Sequence, residues 1–294
     1  METTLCNIRL ATNHENARNM SRTTPHTRQE SASALVQALT ELAQTPRLLV
    51  ALDFDGTLAP FVDEPLKART LPEAKAALDR LQRVPETWVA YVSGRPLASL
   101  ARVTEADDDA LLIGSHGVEV RFGADGDDLE LNEDERNRLA RLGALLEHIV
   151  SNAPGAILER KPVGFGVHTR KLGAEHARAV HQAALEAAAE VGGHLTVRDG
   201  KDILEFAVRE ANKGDGLQRL REHVHATATL FAGDDVTDED GFAALRPGDV
   251  GIKVGEGDTK AQFRVADPQA IAELLELLAE ARERWAGENS VSRD

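Results

Sequence analysis

Asp53 and Asp55 stand two residues apart at the end of an apolar run, Leu48-Leu49-Val50-Ala51-Leu52, and are followed by Gly56 and Thr57. If the run is a strand, its period of two points both carboxylates to one side and Phe54 to the other. Carboxylates so placed repel each other unless a cation or a proton relieves them. Polar groups stand at apolar-run ends in two more places: Ser93-Gly94-Arg95 after Thr87–Val92, and Gly233-Asp234-Asp235 with Asp238 after Ala228–Ala232. Lys213 opens a further helical stretch, between Asn212 and Gly214. Several carboxylates around one point suit a hard cation, and Mg²⁺ usually takes one or two of them together with water and a phosphate oxygen. A lysine ammonium and a serine hydroxyl would serve the remaining phosphate oxygens. The chemistry this permits is phosphoryl transfer with two carboxylates in different jobs. Asp53 stays ionised and attacks phosphorus; Asp55 gives a proton to the leaving oxygen and then takes one from the attacking water. Plainer readings stand beside these: Ser93, Asp235 and Asp238 as helix caps, Lys213 as a solvated lysine, Arg95 as half of an ion pair.

The elements that must position these groups follow from periodicity. Apolar residues Leu35, Val36, Leu39 and Leu42 recur at helical spacing, and Pro46 ends that helix before the strand 48–52. Helices over about 72–83 and 97–104 alternate with strands 87–92 and 111–113. Strands apolar on both faces that alternate with helices predict a parallel sheet, with ligands at the carboxyl ends of its strands. The pattern changes after Gly117. A hairpin over 118–131, a helix at about 133–150, strands near 156–160 and 164–170, a helix at 174–190, and strands near 194–198 and 202–208 read as a separate α+β layer. The parallel pattern then resumes with a helix at 213–223, strands 228–232 and 250–254, and a closing helix at 268–286. The expected organisation is a disordered leader (1–33), an α/β parallel-sheet core split in sequence (34–117 and 209–294), and an inserted α+β cap (118–208).

Composition narrows the partners. The 294 residues carry a net charge of −15 and a pI near 5.2. That balance speaks against nucleic acid and against an anionic membrane, both of which ask for a basic face. A small anionic substrate remains compatible, because screening over roughly 8 Å lets a few local cations override the distant field. Cys6 is the single cysteine, so no intrachain disulfide forms and a reducing compartment fits. No apolar run approaches a membrane span, and the first residues lack the apolar middle of a secretory signal. The expectation is a cytoplasmic protein, with a monomer as its working state.

The four motifs in this order, Asp53-Phe-Asp-Gly-Thr57, Ser93, Lys213 and Gly233-Asp-Asp-Val-Thr-Asp238, resemble those of the haloacid dehalogenase-like phosphatase superfamily. That resemblance covers residues from about 45 to 285. It implies Asp53 as nucleophile, Asp55 as acid and base, Ser93, Gly94 and Lys213 on phosphate, and Mg²⁺ held by Asp53, the Asp55 carbonyl and Asp234. Thr57, Asp235 and Asp238 would support the site. Further motifs resemble the trehalose-6-phosphate phosphatases: Ser93-Gly94-Arg95, Gly114-Ser-His-Gly-Val-Glu119, Glu159-Arg160-Lys161, His168-Thr169-Arg170 and Gly200-Lys-Asp-Ile-Leu-Glu205. This implies a Rossmann-like core with a mobile cap whose Glu159, Lys161 and Glu205 bind sugar hydroxyls. Arg95, His168 and Arg170 are expected to help bind substrate, a phosphosugar. The rival expectations are a phosphatase of the same superfamily acting on sucrose phosphate or a mannosyl phosphoglycerate, and a non-catalytic phosphosugar sensor partnering a synthase. Intact Asp53 and Asp55 speak against the sensor, which needs neither nucleophile nor acid.

Overall fold

The computed structural model describes residues 25–123, 131–193, 195–200, 202–209 and 211–290. Most of the expected leader, Lys201 and the tip of the expected hairpin therefore lie outside the described residues. The chain divides into two compact units, one of Met1–Gly126 with Asn212–Asp294 and one of Asp127–Ala211.

The first unit is built on seven strands in the order β11-β10-β9-β1-β2-β3-β4. They are β1 (Leu48–Leu52), β2 (Thr87–Val92), β3 (Leu111–Gly114), β4 (Glu119–Phe122), β9 (Ala228–Gly233), β10 (Val250–Val254) and β11 (Phe263–Val265). All neighbours pair in parallel except β3 and β4. Helices cover both faces, so β1, β9 and β10 are buried at every residue. Leu48, Val50 and Leu52 pack under α1 (Pro25–Ala43), α2 (Pro72–Arg83) and α8 (Pro268–Ser290). Leu49 and Ala51 pack under α6 (Lys213–His223) and α7 (Asp238–Ala243).

Two expectations are corrected here. The first helix begins at Pro25 rather than Ala34, so residues 25–33 of the expected leader are helical. Residues 119–122 do not form a cap hairpin; β4 pairs antiparallel with β3 and closes the edge of the core sheet. The cause is a tight reversal in which Ser115, His116 and Gly117 all take positive φ, returning the chain at once along β3.

The second unit is a four-stranded antiparallel sheet, β5-β6-β8-β7, from β5 (Ile157–Lys161), β6 (Gly164–His168), β7 (Thr196–Gly200) and β8 (Ile203–Ala207). One face lays Phe165, Val167, Leu204 and Phe206 against Leu142 and Leu146 of α4 (Glu133–Ser151) and Val180 and Ala184 of α5 (Ala174–Val191). Helix α4 opens on a capping box in which Asn132 accepts from Glu135 N at 2.9 Å and Glu135 accepts from Asn132 N at 2.8 Å. Arg209 forks onto the same carboxylate, Nε at 2.9 Å and Nη2 at 2.5 Å, and these bonds hold Glu135 below the usual carboxylate value of 4.5. A depressed native pKa adds stability above the ordinary value and loses it as pH falls through the native one. Glu135→Gln is therefore expected to speed amide exchange in α4 by an opening free energy of about 1–3 kcal/mol at pH 7. The gap from wild type should shrink below pH 4.5; a gap independent of pH would show that the carboxylate charge is not what matters.

Candidate active site

The register of the three central strands sets the site. Leu52 lies opposite both Tyr91 and Ala232, so β1, β2 and β9 run out at one level. Asp53 N donates to Ala232 O at 2.9 Å and Ser93 N to Ile113 O at 2.8 Å, which carries the ladder one step past the strands. Asp53, Ser93 and Asp234 emerge side by side at the carboxyl edge of the sheet, the position expected for ligands.

Lys213 is the hub. The Asn212 capping box with Asp215 starts α6 at this residue. Its buried Nζ donates to Asp53 Oδ1 at 2.8 Å and to Asp238 Oδ1 at 2.6 Å. Burial works against the lysine charge, but the two carboxylates outweigh it and hold Lys213 above the usual lysine range. Burial pushes Asp53 well above the ordinary carboxylate range; Lys213 opposes that shift, and the Asp238 and Asp234 carboxylates add to it. Burial raises Asp234 as well.

Asp238 serves the architecture. Its Oδ2 accepts Asp235 N at 2.8 Å, and it leaves no room for a side chain at Gly233, where a Cβ would come within 2.2 Å of Asp238 Cγ. Thr57 Oγ1 donates to Asp234 Oδ1 at 3.3 Å. Gly56, with φ +79°, lets the turn after Asp55 pass Asp234, whose Oδ2 would be 2.2 Å from an added Cβ.

Asp53, Asp234 and Asp238 offer carboxylate oxygens that all lie within 4.8 Å of one another. Three carboxylates against the buried ammoniums of Lys213 and Lys253 leave net negative charge in a largely buried place, which a bound cation would offset. An all-oxygen donor set suits a hard one. Both Asp238 oxygens are engaged by other groups, whereas Lys213 holds only Oδ1 of Asp53 and Thr57 only Oδ1 of Asp234, so Asp53 and Asp234 are the carboxylates more open to a cation.

The remaining sequence candidates fall into clear places. Ser93 is buried, and its Oγ accepts Arg95 N at 3.1 Å. It does not cap α3 (Leu97–Thr104): Glu119 Oε2 takes Leu97 N at 3.2 Å and Ser115 Oγ at 2.5 Å. Asp55 turns its side chain out of the carboxylate trio toward Arg95, which forks onto it with Nε at 2.5 Å and Nη2 at 2.6 Å. Arg95, expected to bind substrate, is thus engaged by the chain itself. Asp235 sits in the turn, accepting Thr237 Oγ1 at 3.4 Å.

In the second unit, Glu159 lies opposite Gly166, and Gly166 opposite Glu205, so these positions form one row across the open face. His168 Nε2 meets Glu159 Oε2 at 2.9 Å, and Lys161 pairs with Glu205. Arg170 is set apart, exposed in the turn after β6. Sequence reasoning missed Lys253, a buried lysine on β10 whose Nζ donates to the Asp234 carbonyl. The signal was available: a lysine inside the otherwise apolar strand Val250-Gly-Ile-Lys-Val254.

The parallel sheet whose carboxyl edge carries Asp-x-Asp, a serine, a buried lysine and a second acidic turn has the fold class of a haloacid dehalogenase-like hydrolase from B. subtilis, at 18% identity and a TM-score of 0.51 over 78% of this chain and 98% of that one. Within that class the trehalose-phosphatase family model matches residues 51–269, and the chain belongs to this family. It is 35% identical over 258 residues to a trehalose-phosphate phosphatase of Mycobacterium avium (strain 104), covering 81% of this chain and 63% of that protein. The chain thus spans less than two thirds of that relative's length. It is 28% identical over 266 residues to the trehalose-6-phosphate phosphatase of Escherichia coli (strain K12), covering 86% of this chain and 96% of that one. Among solved structures, Aspergillus fumigatus trehalose-6-phosphate phosphatase superposes with a TM-score of 0.65 at 25% identity, over 84% of this chain and 97% of that chain. No helix among the described residues is long and apolar enough to cross a membrane.

Proposed function

We propose that this protein is a Mg²⁺-dependent phosphatase that hydrolyses trehalose 6-phosphate to trehalose and inorganic phosphate through an aspartyl-phosphate. The observation that carries this reading is the Asp53 carboxylate at the end of β1, gripped by Lys213 at 2.8 Å and crowded by Asp234 and Asp238, in a chain of the trehalose-phosphatase family. Asp53 and Asp234, with the Asp55 carbonyl, would hold the cation. When bound, it neutralises charge on the phosphate oxygens. Ser93 Oγ, the Gly94 N–H and Lys213 Nζ bind the remaining phosphate oxygens. An Asp53 oxygen attacks phosphorus as the bond to the sugar oxygen breaks, and Asp55 gives that oxygen its proton. Asp55 then takes a proton from the water that attacks the aspartyl-phosphate, releasing phosphate and restoring the Asp53 carboxylate. The polar face of the cap sheet, with Glu159, Lys161, His168 and Glu205, and Arg170 beside it, selects the disaccharide through its hydroxyls. A site built to pair hydroxyls rejects analogues that leave its buried groups unpaired. In this reading the partner is the phosphosugar alone, without nucleic acid or membrane, and the protein works as a cytoplasmic monomer.

Phosphate release from a panel of sugar phosphates with Mg²⁺ tests the assignment. Trehalose 6-phosphate should exceed glucose 6-phosphate in kcat/KM by on the order of 10²-fold or more. Comparable turnover of the two, or a preference for sucrose phosphate, would sink the specific assignment while leaving the phosphatase reading intact.

A further inference from the structure

The motif Gly114-Ser-His-Gly-Val-Glu119 has no role in the scheme above, and its backbone is strained. Ser115 (φ +47°), His116 (φ +57°) and Gly117 (φ +105°) are consecutive left-handed residues. A non-glycine residue held there costs of order 1–3 kcal/mol and persists only where its neighbours over-determine it. Here the neighbours are the groups placed on phosphate. His116 N donates to Ser93 O at 3.1 Å and Ser115 N to Arg95 O at 2.8 Å, so the turn grips Ser93-Gly94-Arg95 on both sides of Gly94. Between these bonds the imidazole lies on Gly94: a Cβ added there would stand 2.4 Å from His116 Cε1 and 2.7 Å from Nε2. Gly117 meets the second arm of the site. A Cβ on it would be 2.1 Å from the carbonyl oxygen of Asn212, the residue that caps α6 just before Lys213. Glu119 fastens the turn from behind, its Oε2 accepting from Ser115 Oγ and Leu97 N.

We propose that His116 is a positioning residue for the phosphoryl group, holding the Gly94 peptide so that its N–H and Ser93 Oγ present to phosphate in register with Lys213; this rests on the phosphatase reading above. The peptide that carries the Gly94 N–H is planar and trans, so its carbonyl, Ser93 O, points the opposite way. Anchoring that carbonyl on His116 N aims the Gly94 N–H away from the turn. A glycine has no side chain to keep its own backbone from rotating, and the imidazole supplies that restraint by contact. A donor fixed beforehand stabilises charge on a phosphoryl oxygen without reorganising in the transition state. The ring's shape does this work, and no proton of the imidazole is used. Because the same turn bears on Asn212, the serine loop and the lysine are placed by one device.

Two variants test this, with turnover counted per folded molecule from calorimetric melting. His116→Asn keeps a residue that accepts the left-handed turn and removes the ring. With Mg²⁺ present, its kcat/KM should fall by on the order of 10-fold or more on both trehalose 6-phosphate and p-nitrophenyl phosphate, which present the same phosphoryl group. The inhibition constant of inorganic phosphate should rise by about threefold or more, because the seat for its oxygens is loosened. His116→Phe keeps a flat ring without nitrogens and should return kcat/KM to within about threefold of wild type, with the wild-type pH profile. If His116→Asn matches wild type in kcat/KM and phosphate inhibition, whatever its melting temperature, the turn is structural only and the proposal fails. A loss on trehalose 6-phosphate alone would overturn it in favour of a sugar contact. A folded His116→Phe as impaired as His116→Asn, with one limb of the pH profile lost, would overturn it in favour of proton transfer by the imidazole. If the wild-type protein releases phosphate from neither substrate, the phosphatase reading falls and takes this inference with it.

Discussion

Asp53→Asn is expected to lower phosphate release by on the order of 10⁴-fold or more while leaving the protein folded and able to bind substrate. An amide keeps the shape of the carboxylate but cannot bond to phosphorus as a nucleophile. The effect on stability should run the other way. Burial and the neighbouring Asp238 and Asp234 already push Asp53 toward its neutral form, and Lys213 only partly opposes them. Removing one of three crowded carboxylates relieves repulsion, and Lys213 keeps Asp238 as a partner at 2.6 Å. Without divalent cation, the variant should therefore melt at or above the wild-type temperature. Adding Mg²⁺ should raise the melting temperature of wild type more than that of the variant, because the variant has lost a ligand and gains less by mass action. Calorimetry with and without Mg²⁺, beside a phosphate-release assay, reads both halves. Near-normal turnover would refute Asp53 as the nucleophile. A large fall in melting temperature would show that the Lys213–Asp53 bond, and not repulsion, dominates the buried cluster.

The core was readable because each central strand is an apolar run that stops at a polar group. Leu48–Leu52 and Thr87–Val92 have the predicted bounds, and the groups that follow them meet because parallel neighbours share a register. The side chains' choice of partner was less readable. Arg95 could face substrate or an ion-pair partner, and nothing local in Ser93-Gly94-Arg95 says that Asp55, forty positions earlier in the chain, completes its fork. The strand Glu119–Phe122 reads in sequence as part of the cap because antiparallel pairing looks the same whichever strand supplies the partner. Lys253 is hidden in sequence because the apolar majority of its five-residue strand sets the period. A charged residue inside such a strand must find a partner, and here it is a main-chain carbonyl in the acidic turn. Arg282 escaped for the same reason on a helix. It falls at the spacing of Leu275, Leu278 and Ala279, on the stripe that packs into the core.

That position makes Arg282 the second large effect. The side chain is fully buried, and among the described residues no carboxylate is bonded to it. It donates to Thr87 Oγ1 and to the carbonyls of Ala43, Thr45, Pro46 and Glu86, so one guanidinium ties α8 to the end of α1 and to the entries of β1 and β2. Burial without a bonded counter-charge pulls its pKa down to about 10, so it remains a cation at neutral pH. Arg282→Met would fill most of the volume but take the donor from the buried Ala43 carbonyl and the half-buried Thr45 carbonyl, while Glu86 O keeps Leu48 N. The expected loss is about 3–5 kcal/mol of core stability. Arg282→Lys should recover little of it, because a single ammonium cannot span acceptors on both segments. Trp88 and Trp285 are the only two tryptophans and both belong to the core unit, so urea unfolding followed by fluorescence reports the core without the cap. Trp285 adds a local probe, since its ring lies 4.4 Å from the Arg282 Cζ. Because the residue contacts none of the site groups, kcat per folded molecule should stay unchanged at a temperature where the variant is folded. A loss below about 1 kcal/mol would mean that water reaches the freed carbonyls, and that the clamp follows from the packing of α8 rather than holding it in place.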